Sequence, residues 1–182
     1  MSRETPDVAI RAETTADHQA IHHLVAAAFE SDGEADLVDR IRSSPEYVAE
    51  MALVAVVDGH AVGHVMVSGA TLRRTDGDRS VSMLSPLSVR PDHQRRGIGS
   101  ALVEAVLTIA DERGEPLVIV EGDPAYYSRF GFEHSLPLGI ETDLPDWAPP
   151  EAAQVKRLGA FDPNDATLKG RVVYPAAFDG LE

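Results

Sequence analysis

Leu84-Ser85-Pro86-Leu87-Ser88-Val89-Arg90-Pro91-Asp92-His93-Gln94-Arg95-Arg96-Gly97-Ile98-Gly99-Ser100-Ala101-Leu102 joins an apolar, β-prone run to an amphipathic helix through a short polar loop. The β-prone run begins at Val81 and stops at Arg90-Pro91. Strand, glycine-rich turn and helix N-terminus make an anion site, because the first amides of a helix lack an intrahelical partner and point outward. Gly97 and Gly99 remove side chains where a phosphate has to approach the backbone closely. The stretch predicts a pyrophosphate cradle.

Spacing decides which phosphate ligand fits. A P-loop needs four residues between its glycines and then Lys-Ser/Thr, whereas Gly99 is followed by Ser100-Ala101. The dinucleotide fingerprint Gly-x-Gly-x-x-Gly fails too, because Leu102 stands three residues after Gly99. What remains is Gln94-x-x-Gly97-x-Gly99 after a strand ending in Val89-Arg90-Pro91. Downstream stands Val118-Ile119-Val120-Glu121-Gly122-Asp123-Pro124-Ala125-Tyr126-Tyr127-Ser128-Arg129-Phe130-Gly131-Phe132. It reads as a buried strand running into an aromatic-rich helix of little more than a turn, which Gly131 terminates.

These two motifs, in this order and about 30 residues apart, resemble the GNAT superfamily of acyl-CoA N-acyltransferases. The resemblance covers roughly residues 8–135, and with the tail it is similar to a bacterial and archaeal subgroup of N-acetyltransferases. It implies an α/β (mixed α+β) fold, with a mixed central sheet flanked by helices and one parallel strand pair splayed apart. It implies acetyl-CoA as co-substrate, no metal, and a pantetheine arm lying between the splayed strands. On that reading Gln94, Arg95, Arg96, Gly97, Ile98, Gly99 and Ser100 hold the CoA pyrophosphate through backbone amides. Leu87, Ser88 and Val89 hold the acyl and pantetheine groups, and Tyr127, four residues before Gly131, lies near the sulfur as general acid. The helix that Glu34 opens lines the acceptor side.

Composition sets the bounds. A chain of 182 residues suits one domain with a substantial core, with residues 1–182 as the unit, a core of about 8–135 and C-terminal strands and a wrap over 136–182. No apolar run approaches the ~20 residues of a membrane span, and Met1-Ser2-Arg3-Glu4 has no signal-peptide core. There is no cysteine, which excludes disulfides, thiolate metal sites and a cysteinyl acyl-enzyme, and which fits a cytoplasmic protein. Acidic residues number 30 against 16 basic, a net charge of −14, and Lys156 and Lys169 are the lysines. A lysine-poor acidic shell resembles proteins of salt-accumulating halophiles, and without a basic stripe nucleic acid is not an expected partner. The expected partner is a small-molecule or peptide amine, bound by a monomer or homodimer, with no membrane involved.

The other elements follow from periodicity. Val8 to Arg11 reads as a strand, and Thr14 or Thr15 caps a helix with Ile21, Leu24, Val25, Ala28 and Phe29 on one face. A second helix starts near Glu34 with Leu37, Val38 and Ile41 inward. Ala52 to Val57, Asp58-Gly59 and His60 to Val67 spell a hairpin with a type I′ turn. Helix 97–113 buries Ile98, Leu102, Ala105, Val106 and Ile109, and Gly114 stops it. In the proline-rich tail, 153–158 completes the sheet and 171–174 is a packing strand.

Acyl transfer needs an oxyanion site, an acid for the thiolate and a base for the amine. Pro86 in a strand marks a bulge or an edge, which frees backbone N–H groups over Pro86 to Val89 for the oxyanion. Tyr126 and Phe130 make an i, i+4 apolar pair and turn Tyr127 toward another face. Glu121, at the end of the strand entering the cleft, and Glu34 are the candidate bases among many solvated carboxylates. His18 and His22 share a helix face without a third ligand, so no metal is expected there. Ser85, Ser88 and Ser128 lack the flanks of a nucleophile elbow. Two alternatives to amine acetylation stay open: a non-catalytic acetyl-CoA sensor and an O-acyltransferase.

Overall fold

The computed structural model describes residues 7–181. Met1 to Pro6 and Glu182 lie outside them, and with them the leader-free reading of Met1 to Glu4 and the outer limits of the 1–182 unit. The strands and helices are β1 (Ala9–Ala12), α1 (His18–Phe29), α2 (Gly33–Arg42), β2 (Ala52–Val57), β3 (His60–Arg73), β4 (Arg79–Val89), α3 (Ile98–Glu112), β5 (Leu117–Glu121), α4 (Pro124–Tyr127), β6 (Glu133–His134), β7 (Ile140–Glu141), β8 (Ala153–Arg157) and β9 (Gly170–Val173). Asp58 and Gly59 both take positive φ, 50° and 77°, as the type I′ turn between β2 and β3 requires. Among the described residues no helix is long and apolar enough to cross a membrane.

The nine strands form one mixed sheet with main order β1-β2-β3-β4-β5-β8-β6. Strand residues alternate between two faces, and the core divides accordingly. Val54 and Met66 pack with Ile21, Leu24, Val25, Leu37, Val38 and Ile41 of α1 and α2. Leu53, Val65, Val67, Val118 and Val120 pack with Ile98, Leu102, Val103 and Val106 of α3. Two expectations shift by part of a turn. Phe29 is 40% exposed, because Glu30 turns left-handed (φ 54°) and ends α1 before that turn can reach the sheet. On α3, Val103, Leu107 and Ala110 are buried where Ala105 and Ile109 were expected, and those two flank the core.

Two features of the sheet position the site. The register between β3 and β4 slips at Ser85-Pro86, where Val65 faces Leu87 but Val67 faces Leu84. This is the bulge that a proline inside a strand foretells. Secondly, β4 and β5 are parallel and pair only through Ser82↔Val118 and Met83↔Ile119. Beyond those pairs the two strands part, and a gap opens at their C-terminal ends.

The tail completes the sheet on both sides. β8 pairs with β5 from Leu117↔Arg157 to Glu121↔Ala153, as expected. β9 differs from the expected packing strand: it is hydrogen-bonded into the sheet, antiparallel to the far end of β3, Thr71↔Val173 to Arg73↔Arg171. The physical reason is that β2 pairs with β3 no further than Met66. The open edge beyond needs a partner, and β9 supplies it.

Candidate active site

The loop after β4 presents its backbone to solvent. Gln94 bends back and donates Nε2 to Val89 O at 3.1 Å, closing the end of β4. Arg95 (φ 61°) and Gly97 (φ 80°) are left-handed, and for Gly97 this conformation is the reason for glycine, since a Cβ there would meet nothing within 4 Å. The first bond of α3 runs from Ala101 N–H to Gly97 O at 3.0 Å, so the amides of Ile98, Gly99 and Ser100 point past the helix end. At Gly99 space is decisive: a Cβ would stand 2.7 Å from Tyr126 Oη and 3.6 Å from Val89 Cγ2.

A cavity of about 550 Å³ opens over these amides, lined by Leu87, Val89, Gln94, Arg95, Gly97, Ile98, Gly99 and Ser100. His93, Tyr126 and Arg129 also line it and were not singled out from the sequence. Tyr126, expected as a core aromatic, does stack edge-on against Phe130 at 5.5 Å, yet its outer side faces this cavity. The Arg129 guanidinium lies 4.3 Å over the Tyr126 ring, an i, i+3 neighbour that helical spacing could have flagged. Arg96 is exposed and Ser88 is buried, and neither lines the cavity. The Ser88 backbone faces His64 of β3 and not the gap.

The gap itself is lined by backbone. Arg90 N–H bonds Val62 O on the β3 side at 2.8 Å. By strand alternation, the Leu87 and Val89 amides face the opposite way, into the gap left by β5. Tyr127 packs behind, edge-on to Phe132 at 5.5 Å and to Tyr126 at 5.0 Å. Gly122 makes room for it, since a Cβ there would stand 2.6 Å from Tyr127 Cε2. Burial pushes the Tyr127 hydroxyl well above the ordinary tyrosine range, so it keeps its proton.

The other face of the gap carries one candidate carboxylate. Glu121 ends β5 on the face of Leu117 and Ile119, away from α3. Its Oε1 accepts a hydrogen bond from the hydroxyl of Tyr174, just past β9. Burial raises the Glu121 carboxyl, the Tyr174 bond works against that, and Asp143 adds to the rise. Glu34, in the first turn of α2, has a buried Oε2 with no partner among the described residues. The structure does not bring Glu34 into the cavity over α3.

Beneath α1 and α2 lies a buried network that sequence reasoning missed. Glu13 accepts from Arg42 Nε (2.7 Å), Tyr47 Oη (3.0 Å) and His64 Nε2 (2.8 Å). His64 is fully buried and faces Ser88 across the strands, and among the described residues His64 Nδ1 and Ser88 Oγ both lack partners. The histidines of α1 do not assemble. His18 approaches Glu13 at 3.8 Å, whereas His22 Nδ1 bonds Asp39 at 2.8 Å on the surface, with Asp36 close by. Asp39 is also taken by Arg42 at 2.6 Å, so this group is an exposed ion pair.

An amide-lined helix start beside a splayed parallel pair is the architecture of an acyl-CoA transferase fold, and the comparisons agree. The family model of the acetyltransferase (GNAT) domain matches residues 9–135. The chain belongs to the GNAT family of acetyltransferases. It is 36% identical over 173 residues to the uncharacterized N-acetyltransferase YhbS of Escherichia coli, across 93% of this chain and 98% of that one. The crystal structure of E. coli YhbS in complex with CoA overlays with a TM-score of 0.85 at 31% identity, covering 98% of this chain and 95% of that one. A GNAT family acetyltransferase from Brucella melitensis, in complex with acetyl-CoA, overlays at 0.75 with 28% identity, covering 95% and 99%.

Proposed function

We propose that this acetyltransferase moves an acetyl group from acetyl-CoA directly to a small-molecule or peptide amine. The observation that carries this reading is the cavity over α3, where unpartnered amides, Arg129 and Arg95 converge at the mouth of the β4–β5 gap. CoA and acetyl-CoA in the two structural relatives support it. The amides of Ile98, Gly99 and Ser100 would take the pyrophosphate, with Gln94 and Arg95 shaping the loop and Arg96 contributing charge at its rim. Leu87, Ser88 and Val89 would hold the pantetheine arm, and one of the gap-facing N–H groups, that of Leu87 or Val89, would reach the thioester oxygen.

In the proposed reaction Glu121 accepts one proton from the acceptor ammonium, and the freed amine attacks the thioester carbon. A C–N bond forms and an oxyanion develops against the β4 amides. The C–S bond then breaks and the thiolate leaves. The nitrogen still carries one surplus proton, which passes to sulfur with the Tyr127 hydroxyl as relay. Tyr127 gives one proton and regains one. The proton on Glu121 returns to solvent, so the products are the amide, CoA thiol and one proton. Burial of Glu121 suits a base, since a carboxyl raised above its ordinary range holds the abstracted proton better. Glu34, which opens α2, is proposed to bind the acceptor.

Incubation with acetyl-CoA and pools of amines, at ~0.1 and ~2 M KCl with mass detection of products, tests the reading. Stoichiometric thiol release with an acetylated amine supports it. Tight acetyl-CoA binding with no acetylated product from any pool would make the protein a sensor. Ester products from hydroxyl compounds would make it an O-acyltransferase.

A further inference from the structure

The residue that holds Glu121 comes from a part of the chain that the family match does not cover. Tyr174 follows β9, beyond the matched segment 9–135. Its position is fixed from two directions. Upstream, β9 is hydrogen-bonded to β3 through Thr71↔Val173. Downstream, the turn Ala176–Phe178 is tied to α2 by Arg40 Nε donating to Ala177 O at 2.7 Å. Phe178 packs 6.0 Å from the Tyr174 ring. The phenol is half-buried and can reach Glu121 only because β9 occupies the edge of β3 that β2 leaves open.

A carboxylate at the end of a strand ordinarily samples several rotamers. Here the hydrogen bond engages Oε1, and among the described residues no group hydrogen-bonds Oε2. The other charged groups near Glu121 leave that oxygen free. Asp143, in the segment after β7, is held by Arg171 of β9, which also pairs with Glu141 at 2.9 Å. Arg171 is thus engaged by two carboxylates and does not neutralise Glu121.

We propose that Tyr174 is a positioning residue of this active site, holding Oε1 of Glu121 so that Oε2 is presented to the acceptor amine. The inference rests on Glu121 being the base of the proposed reaction. It gives the C-terminal segment a function: the tail completes the acceptor half of the site while the 9–135 core supplies the acetyl-CoA half. Tyr174 itself touches neither sulfur nor thioester. It acts through Glu121 by orienting the carboxylate and by stabilising its ionised form.

Tyr174→Phe keeps the ring against Phe178 and removes only the hydroxyl. The side-chain carboxyl carbon of Glu121, assigned by its absence in Glu121→Gln, is followed by NMR against pH in both proteins. Thiol release from acetyl-CoA with pooled primary amines is measured alongside. The expected result is a Glu121 titration moved to higher pH by about one unit in Tyr174→Phe, since a stabilising donor is gone. With it the acid limb of kcat/KM moves by the same amount, kcat falls about tenfold, and KM for acetyl-CoA is unchanged. An unmoved Glu121 resonance, or a moved resonance with wild-type turnover at every pH, would overturn the role of Tyr174. Glu121→Gln turning over like wild type would instead remove the base reading, and that result is read from a different variant.

Discussion

Tyr126 and Tyr127 are neighbours in sequence with opposite surroundings. Tyr126 turns its hydroxyl to within 2.7 Å of where a Gly99 Cβ would stand, and Tyr127 is enclosed by aromatic rings and Gly122. A thiol resembling cysteine has a pKa near 8.5, below that of any ordinary tyrosine. Burial raises Tyr127 further, so in the proposed reaction full proton transfer to the thiolate would be uphill and the useful act would be a hydrogen bond that becomes a relay. Tyr127→Phe keeps the packing. It should leave acetyl-CoA affinity nearly unchanged and lower kcat by about 10²-fold, read by steady-state kinetics. A fall of only a few-fold would reduce Tyr127 to a positioning group. A raised KM with kcat intact would place its hydroxyl in substrate binding.

At the scale of elements, Glu13 after β1, Arg42 of α2 and His64 of β3 are locked together under the first two helices. Burial alone would raise the Glu13 carboxyl, but hydrogen bonds from His64 and Arg42 outweigh it and hold it at about 2. Burial lowers His64, which stays neutral. Both shifts are downward, so both contribute stability at neutral pH that is lost on acidification. For His64 the loss starts as pH falls below about 6.5, where the unfolded imidazole gains a proton. For Glu13 it runs from about 4.5 down to about 2. Urea unfolding from pH 7 to 4 should show a falling midpoint, and a midpoint flat over that range would contradict the network. The network was not legible in the sequence, because its members stand as far apart as 51 residues and leave no periodic trace. Glu121 was singled out from the sequence, but its pairing with Tyr174, 53 residues on, escaped for the same reason. The candidate acetyl-CoA cradle was legible because its geometry is local: a proline bulge, a left-handed glycine and a helix start within some 15 residues. The two-residue strands β6 and β7 are too short for any hydrophobic period, and β9 joins the sheet for want of a partner on β3, which nothing in its own residues announces.

For the whole molecule, the charge of −14 lies outside the core: Glu13 apart, the carboxylates among the described residues are at least partly exposed. Self-repulsion on that scale is long-ranged at low salt and shrinks at ~1 M, where the Debye length is about 3 Å. We read the shell as an adaptation to high salt. On that reading the melting temperature should rise between ~0.1 and ~2 M KCl, and a flat or falling curve would assign the charge to attracting cationic acceptors. An acidic protein with an anionic co-substrate also requires that binding depend on contacts at the cradle and not on the overall field. The most direct test of the account is titration calorimetry of acetyl-CoA into the wild-type protein and into Gly99→Val, with melting curves to establish that the variant is folded. A branched side chain at that position meets Tyr126 and occupies the phosphate approach, so affinity should fall at least tenfold, about 1.4 kcal/mol. A folded Gly99→Val protein that binds acetyl-CoA as tightly as the wild type would contradict it.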